Sequence, residues 1–136
     1  MMEVQTKRLV LAQMNVCNGC CCGQVQKKRP EVPLLWLKSE WKSRGLLKRV
    51  QLSISGCLGP CDVANVVMIT SSEGTQWLGG LNSQRHYELL ADWAEQSKNA
   101  DRLLPLPREL RRFAFVSYRE QEALAFEEDV VPVSAD

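Results

Sequence analysis

The sequence predicts a small α/β domain, and three observations predict it: an apolar run near the start, one helical stripe between two strand patterns, and a second helical stripe after a hairpin. Lys7 to Met14 carries Leu9, Val10, Leu11, Ala12 and Met14 with little polarity and reads as a buried first strand ending just before Cys17. In the loop that follows, Cys17 to Val32, Gly19, Gly23 and Pro30 prevent a regular element, and Lys27, Lys28 and Arg29 keep its second half in water. "PLLWLKSEWKSR", Pro33 to Arg44, has a proline at its start, Leu34, Leu37 and Trp41 at helical spacing, and Gly45 as a stop, which makes it the first helix.

"LKRVQLSIS" then alternates Val50, Leu52 and Ile54 on one face with Gln51, Ser53 and Ser55 on the other, the period of a strand with one face in the core. After a break at "GCLGPCD", Val66 to Thr70 is a third strand, Ser71 to Gly74 a turn, and Thr75 to Leu78 the returning arm of a hairpin. Ser83 to Lys98 puts Tyr87, Leu90, Ala91 and Ala94 on one stripe, with Ser83 as the expected N-cap. The first helix can cross between parallel strands while the last two strands pair as a hairpin, giving a small mixed sheet with two principal helices. Residues 1–104 are expected to form this domain. Residues 105–136 are expected to be a peripheral, partly mobile extension, basic at Arg108, Arg111 and Arg112 and acidic from Glu120 onward.

With 136 residues, 45% hydrophobic and 24% charged, the chain suits one folded domain. The formal charge of +1 gives no mark of a nucleic-acid binder, and the longest apolar runs, such as Val63 to Thr70, are far too short to cross a bilayer. A cytoplasmic location is the expectation. In that reducing compartment the six cysteines suit ligand or redox work better than a disulfide framework.

Four of those six fall in "CNGCCCG", residues 17–23, after the first strand. Cys57 and Cys61 enclose "LGP" in one stiff loop after the second strand, a spacing that suits two bonds to one metal ion. Counting from Cys17 to Cys22, the pattern is C-x4-C-x34-C-x3-C. If the strands before these loops are parallel neighbours, both loops leave the same end of the sheet, where sites in α/β folds assemble. Two pairs of thiolates facing each other are what a [2Fe-2S] cluster requires, because thiolates are soft, anionic donors for iron.

The tract "SISGCLGPCDVANVVMI" resembles the second cysteine motif of the thioredoxin-like [2Fe-2S] ferredoxins and of the small cluster-bearing subunit of respiratory NADH dehydrogenases and related hydrogenases. The first motif, C-x4-C followed by about three dozen residues and C-x3-C, is similar to the dehydrogenase subunit. The resemblance covers about residues 7 to 97 and implies a thioredoxin-like scaffold, one [2Fe-2S] cluster and one-electron transfer rather than catalysis. It carries ligand roles onto Cys17, Cys22, Cys57 and Cys61, with Cys21 or Cys20 as the alternative to Cys22 in so glycine-rich a loop. It also implies redox partner proteins and a homodimer.

Other readings remain beside this one. Four cysteines in two pairs also suit a closed structural zinc site, or a metal-delivery protein with no redox role. The chain could be an accessory subunit of a larger redox or metal-chelatase enzyme, docking through its basic face or "RELRRF". A thiol oxidoreductase using "CNGC" needs a helix to open at the motif, and none can start before about Pro33. The lone histidine, His86, lies near a helix start, where a surface or capping role outweighs ligation, and it excludes a Rieske centre with its two histidines. Trp36, Trp41, Trp77 and Trp93 read as packing, and no phosphate-binding or nucleophile–base signature occurs. Lys27, Lys28, Arg29, Lys38, Lys42, Arg44, Lys48 and Arg49 lie between the cysteine pairs against only Glu31 and Glu40. They form either a solvated face or a surface that steers an acidic redox partner.

Overall fold

The structure, a computed structural model, describes residues 9–19 and 21–117, apart from the side chain of Cys61. Its strands are β1 (Ala12–Cys17), β2 (Val50–Ser55), β3 (Val67–Ser71), β4 (Gly74–Leu78) and β5 (Ala114–Phe115). Its helices are α1 (Leu34–Ser43), α2 (Gln84–Ala100) and the single turn α3 (Arg108–Arg111), with short 3-10 turns at Val25–Lys27 and Cys61–Val63. The strands form one mixed sheet in the order β2-β1-β3-β4-β5. β1 and β2 are parallel, and every other pair is antiparallel. This is the α/β arrangement expected, a small mixed sheet with two principal helices.

Parallel neighbours cannot be joined by a tight turn, and α1 supplies the crossover between β1 and β2. The β1–β2 register places Cys17 opposite Ser55 at the ends of the two strands. Both cysteine loops therefore leave the sheet on the same side. β1 begins later than its apolar run and reaches into the cysteine motif, because pairing with β2 continues to Cys17 and the Cys17 N–H donates to the Val66 carbonyl at 3.0 Å.

One face of the sheet presents Ala12, Met14, Val16, Val50, Val67 and Ile69 to α1 and α2, which answer with Leu37, Trp41, Tyr87, Leu90 and Trp93. Burying such side chains contributes about 1.5–3 kcal/mol each, and the two indoles among them are satisfied locally. The Trp41 indole N–H donates to the Val50 carbonyl at 2.9 Å and that of Trp93 to the Leu104 carbonyl at 2.7 Å. Arg44 joins the helices by ion pairs to Glu40 (2.9 Å), Asp92 (2.9 Å) and Glu95 (3.0 Å).

Gly45 ends α1 as expected, at φ +63°, the left-handed region open to glycine at little cost. Ser83 occupies the N-cap position of α2, yet its hydroxyl makes no capping bond. The His86 side chain serves instead, Nδ1 accepting the Asn82 N–H at 3.1 Å.

The segment after Pro105 is integrated up to the limit of the described residues. Leu106 and Leu110 sit in the main core, and β5 extends the sheet through the pairs Trp77–Phe115 and Leu78–Ala114. Residues 105–117 thus share the core of the preceding domain, and the acidic end, 118–136, lies outside the described residues. Among the described residues no helix is long and apolar enough to cross a membrane.

Candidate functional site

The site grows from the ends of β1 and β2. Alternation along β1 sends Val16 into the main core and turns Cys17 to the other face, where a smaller cluster holds Cys17, Cys22, Ala64, Val66 and Trp77. The Asn18 N–H donates to the Ser55 carbonyl at 2.9 Å, which ties the first loop to the end of β2. Gly19 then runs against the second loop: a Cβ at this position would lie 2.6 Å from the Cys57 nitrogen and 3.1 Å from the Gly56 carbonyl carbon. No side chain fits there, and this contact of backbones brings the two cysteine motifs together.

Asn65 fixes the rest of the first loop. It is fully buried, its Oδ1 accepting the Gly23 N–H and its Nδ2 donating to the Pro30 carbonyl, both at 2.7 Å. A single amide therefore pins both ends of the Gly23–Pro30 segment to the strand connection before β3. Sequence reasoning did not single out Asn65. The signal was available, since it is the polar residue inside the apolar run Val63 to Thr70.

Three of the four expected site residues meet in one pocket. Cys17, Cys22 and Cys57 line it, with Cys21, Leu58, Gly59, Pro60 and Val66. Cys17 and Cys22 are buried and Cys57 is exposed. Cys61 opens its 3-10 turn, with its side chain outside the description, and Cys20 is likewise not described. Among the described residues no three histidine, cysteine, aspartate or glutamate side chains stand in a metal-binding arrangement. His86 belongs elsewhere, edge-on to Phe113 with ring centroids 4.5 Å apart.

The thiols act on one another. The Cys22 sulfur accepts the Val66 N–H at 3.3 Å, and the Cys57 sulfur accepts the Gly59 N–H at 3.3 Å. Burial, then the hydrogen bond with Cys17, push the Cys22 thiol up to about 12; the Val66 N–H opposes them, and the charges of Cys17 and Cys57 add to the rise. Crowded thiols in a low-dielectric pocket resist carrying several negative charges at once.

No family model matches the chain, and no curated protein matches it. Among solved structures, it is similar to the wild-type thioredoxin-like [2Fe-2S] ferredoxin from Aquifex aeolicus, at 13% identity and a TM-score of 0.47 over 80% of this chain and 100% of that one. A cysteine-to-serine variant of that ferredoxin is similar at 15% identity and a TM-score of 0.49, over 78% of this chain and 99% of the other. A further structure of a thioredoxin-like [2Fe-2S] ferredoxin from Aquifex aeolicus is similar at 14% identity and a TM-score of 0.49, over 82% and 96%.

The chemistry open to the pocket follows from its lining. Thiolates are soft ligands for iron or zinc, and a cation among them would offset the burial, and then the neighbouring thiols, that raise the Cys22 pKa. Loading such a site releases protons. The two backbone N–H groups already directed at sulfur suit thiolates better than thiols, as donors favour the charged form. The donor set thus fits a thiolate-held metal or cluster.

Proposed function

We propose that the protein is a one-electron carrier holding a single [2Fe-2S] cluster on Cys17, Cys22, Cys57 and Cys61, and that it is not itself an enzyme. The observation that supports this reading is the meeting of Cys17 and Cys22 with Cys57 in one pocket, although 34 residues separate Cys22 from Cys57. Bound there, the cluster supplies the site that takes up and gives back one electron. The chain's part is to hold and tune it: Val66 and Gly59 direct N–H groups at the Cys22 and Cys57 sulfurs, and such bonds help set a cluster's potential.

Access to the site runs through the second loop, where Gly56, Cys57 and Gly59 are exposed. The partner is a redox protein with an acidic face. Lys28, Lys38, Lys42 and Lys48 are exposed, whereas Arg44 is committed to three carboxylates and Arg49 to Asp101. Electron transfer to that partner falls as ionic strength rises, through weakened steering; a rate that stays flat across salt removes the acidic partner.

The cluster itself is tested on anaerobically purified protein by visible absorption, iron and sulfide analysis, and EPR after reduction with dithionite. About two irons and two sulfides per chain are expected, with a signal in the reduced state. Cys22→Ser loses them and Cys21→Ser keeps them. Colourless protein with about one zinc per chain overturns the electron carrier and leaves a structural zinc site.

A further inference from the structure

Ser55 ends β2 opposite Cys17. Because side chains alternate along a strand, Val50, Leu52 and Ile54 meet the main core, while Gln51, Ser53 and Ser55 lie on the other face. That other face also carries Cys17. The Ser53 hydroxyl on it is satisfied, accepting from Gln13 Nε2 at 2.7 Å. The Ser55 hydroxyl, at the end of the strand where the thiols gather, is buried and has no hydrogen-bond partner among the described residues.

A buried hydroxyl left unsatisfied costs about 1–3 kcal/mol, and such groups in folded proteins nearly always have a partner. The Ser55 main chain is already engaged, its carbonyl accepting the Asn18 N–H and its register fixed by β1. Alanine would occupy the same space without the penalty, so packing does not account for the hydroxyl. A serine hydroxyl carries a donor proton, and the electron-rich acceptors gathered at this end of the sheet are sulfurs.

We propose that the Ser55 hydroxyl donates a hydrogen bond to sulfur of the group held by the thiols and raises its reduction potential. The inference rests on the [2Fe-2S] reading. Reduction adds one electron from an external donor, dithionite in the assay, and no bond to protein is made or broken. The added negative charge spreads onto sulfur, so a donor aimed there favours the reduced form.

The test uses the full chain carrying its cluster and an EPR-monitored redox titration of wild type, Ser55→Ala, Ser55→Thr and Ser55→Val. Threonine keeps the hydroxyl, and valine has the same shape without it. At a fixed poise the ratio of reduced to oxidised protein is expected to fall about tenfold in the alanine and valine variants, equivalent to about 59 mV for one electron, and to stay near wild type in threonine. Loss of the cluster from alanine and valine but not from threonine supports the same role. Equal ratios in all four proteins, or loss of the cluster from threonine as readily as from valine, overturn it. Failure of the wild type to contain iron and sulfide is a different result, which overturns the cluster reading itself.

Discussion

The two faces of β1 enclose two kinds of interior. On one, Met14 and Val16 meet hydrocarbon from α1 and α2, and three polar side chains there find main-chain partners: Trp41 at Val50, Trp93 at Leu104, and the buried Ser97 hydroxyl at the Leu104 N–H, 3.1 Å away. On the other, Cys17 meets Cys22 and Cys57, burial first and then the neighbouring Cys17 raise the cost of ionising Cys22, and Ser55 has a hydroxyl without a partner among the described residues. Tyr87 belongs to the main core, yet its hydroxyl feels the thiols. Burial first, and then the charges of Cys22 and Cys17, push its phenol well above the usual value, while the Asn65 amide pulls the other way. The main core is closed by packed hydrocarbon, with Trp41, Trp93 and Ser97 partnered from within; the thiol face gathers several sulfurs in one pocket, where a cation would favour their thiolate forms.

Two substitutions cross this contrast. Leu110→Ala opens a hole in the main core, where Leu110 is fully buried, and is expected to cost about 2–5 kcal/mol in urea unfolding while iron per folded chain is unchanged. Gly19→Ala forces a methyl group against the Cys57 nitrogen. It is expected to cost less stability, about 1–3 kcal/mol as for other overpacked sites, while removing most of the bound iron. If Leu110→Ala strips iron from folded protein, or Gly19→Ala loads like wild type, the two interiors are one cooperative unit and the contrast fails.

Most of the scaffold was legible because its signals are local. The α1 stripe, the alternation of Val50 to Ser55 and the β3–β4 hairpin each carry their period within ten or so residues, and the structure places them within a residue or two of expectation. The common exit of the two cysteine loops followed from parallel pairing of β1 with β2. What escaped depends on distant partners. β5 is two residues long and is a strand only because Trp77 and Leu78 pair with it. Leu110 is hidden in the arginine-rich "RELRRF", whose charges drew attention from its one buried side chain. For the site, spacing selected Cys17, Cys22, Cys57 and Cys61; the first three line one pocket, yet Cys21 lines it too and spacing alone does not separate it from Cys22. The face of Ser55 was legible in the alternation. Its want of a partner was not, since that is a property of the folded neighbourhood.

The smallest effect expected is a pH dependence confined to the edge of the main core. His86 is 7% exposed, lies edge-on to Phe113, and accepts the Asn82 N–H at Nδ1, which holds the imidazole neutral. Burial first, then the Arg112 guanidinium, lower its pKa below the usual histidine value, with Glu109 acting in the opposite sense. A lowered folded pKa means that the unfolded chain binds the proton first as pH falls, so unfolding takes up protons and stability declines. The contribution is therefore fully present above the unfolded value of about 6.5 and is lost as pH falls through the lower folded value. Urea midpoints measured from about pH 7 to pH 5 should fall more steeply for wild type than for His86→Gln, which cannot titrate in that range. Parallel curves would mean that His86 gains its proton as easily in the folded chain as in the unfolded one, and that water reaches this edge of the hydrocarbon core as it reaches Cys57 on the other face.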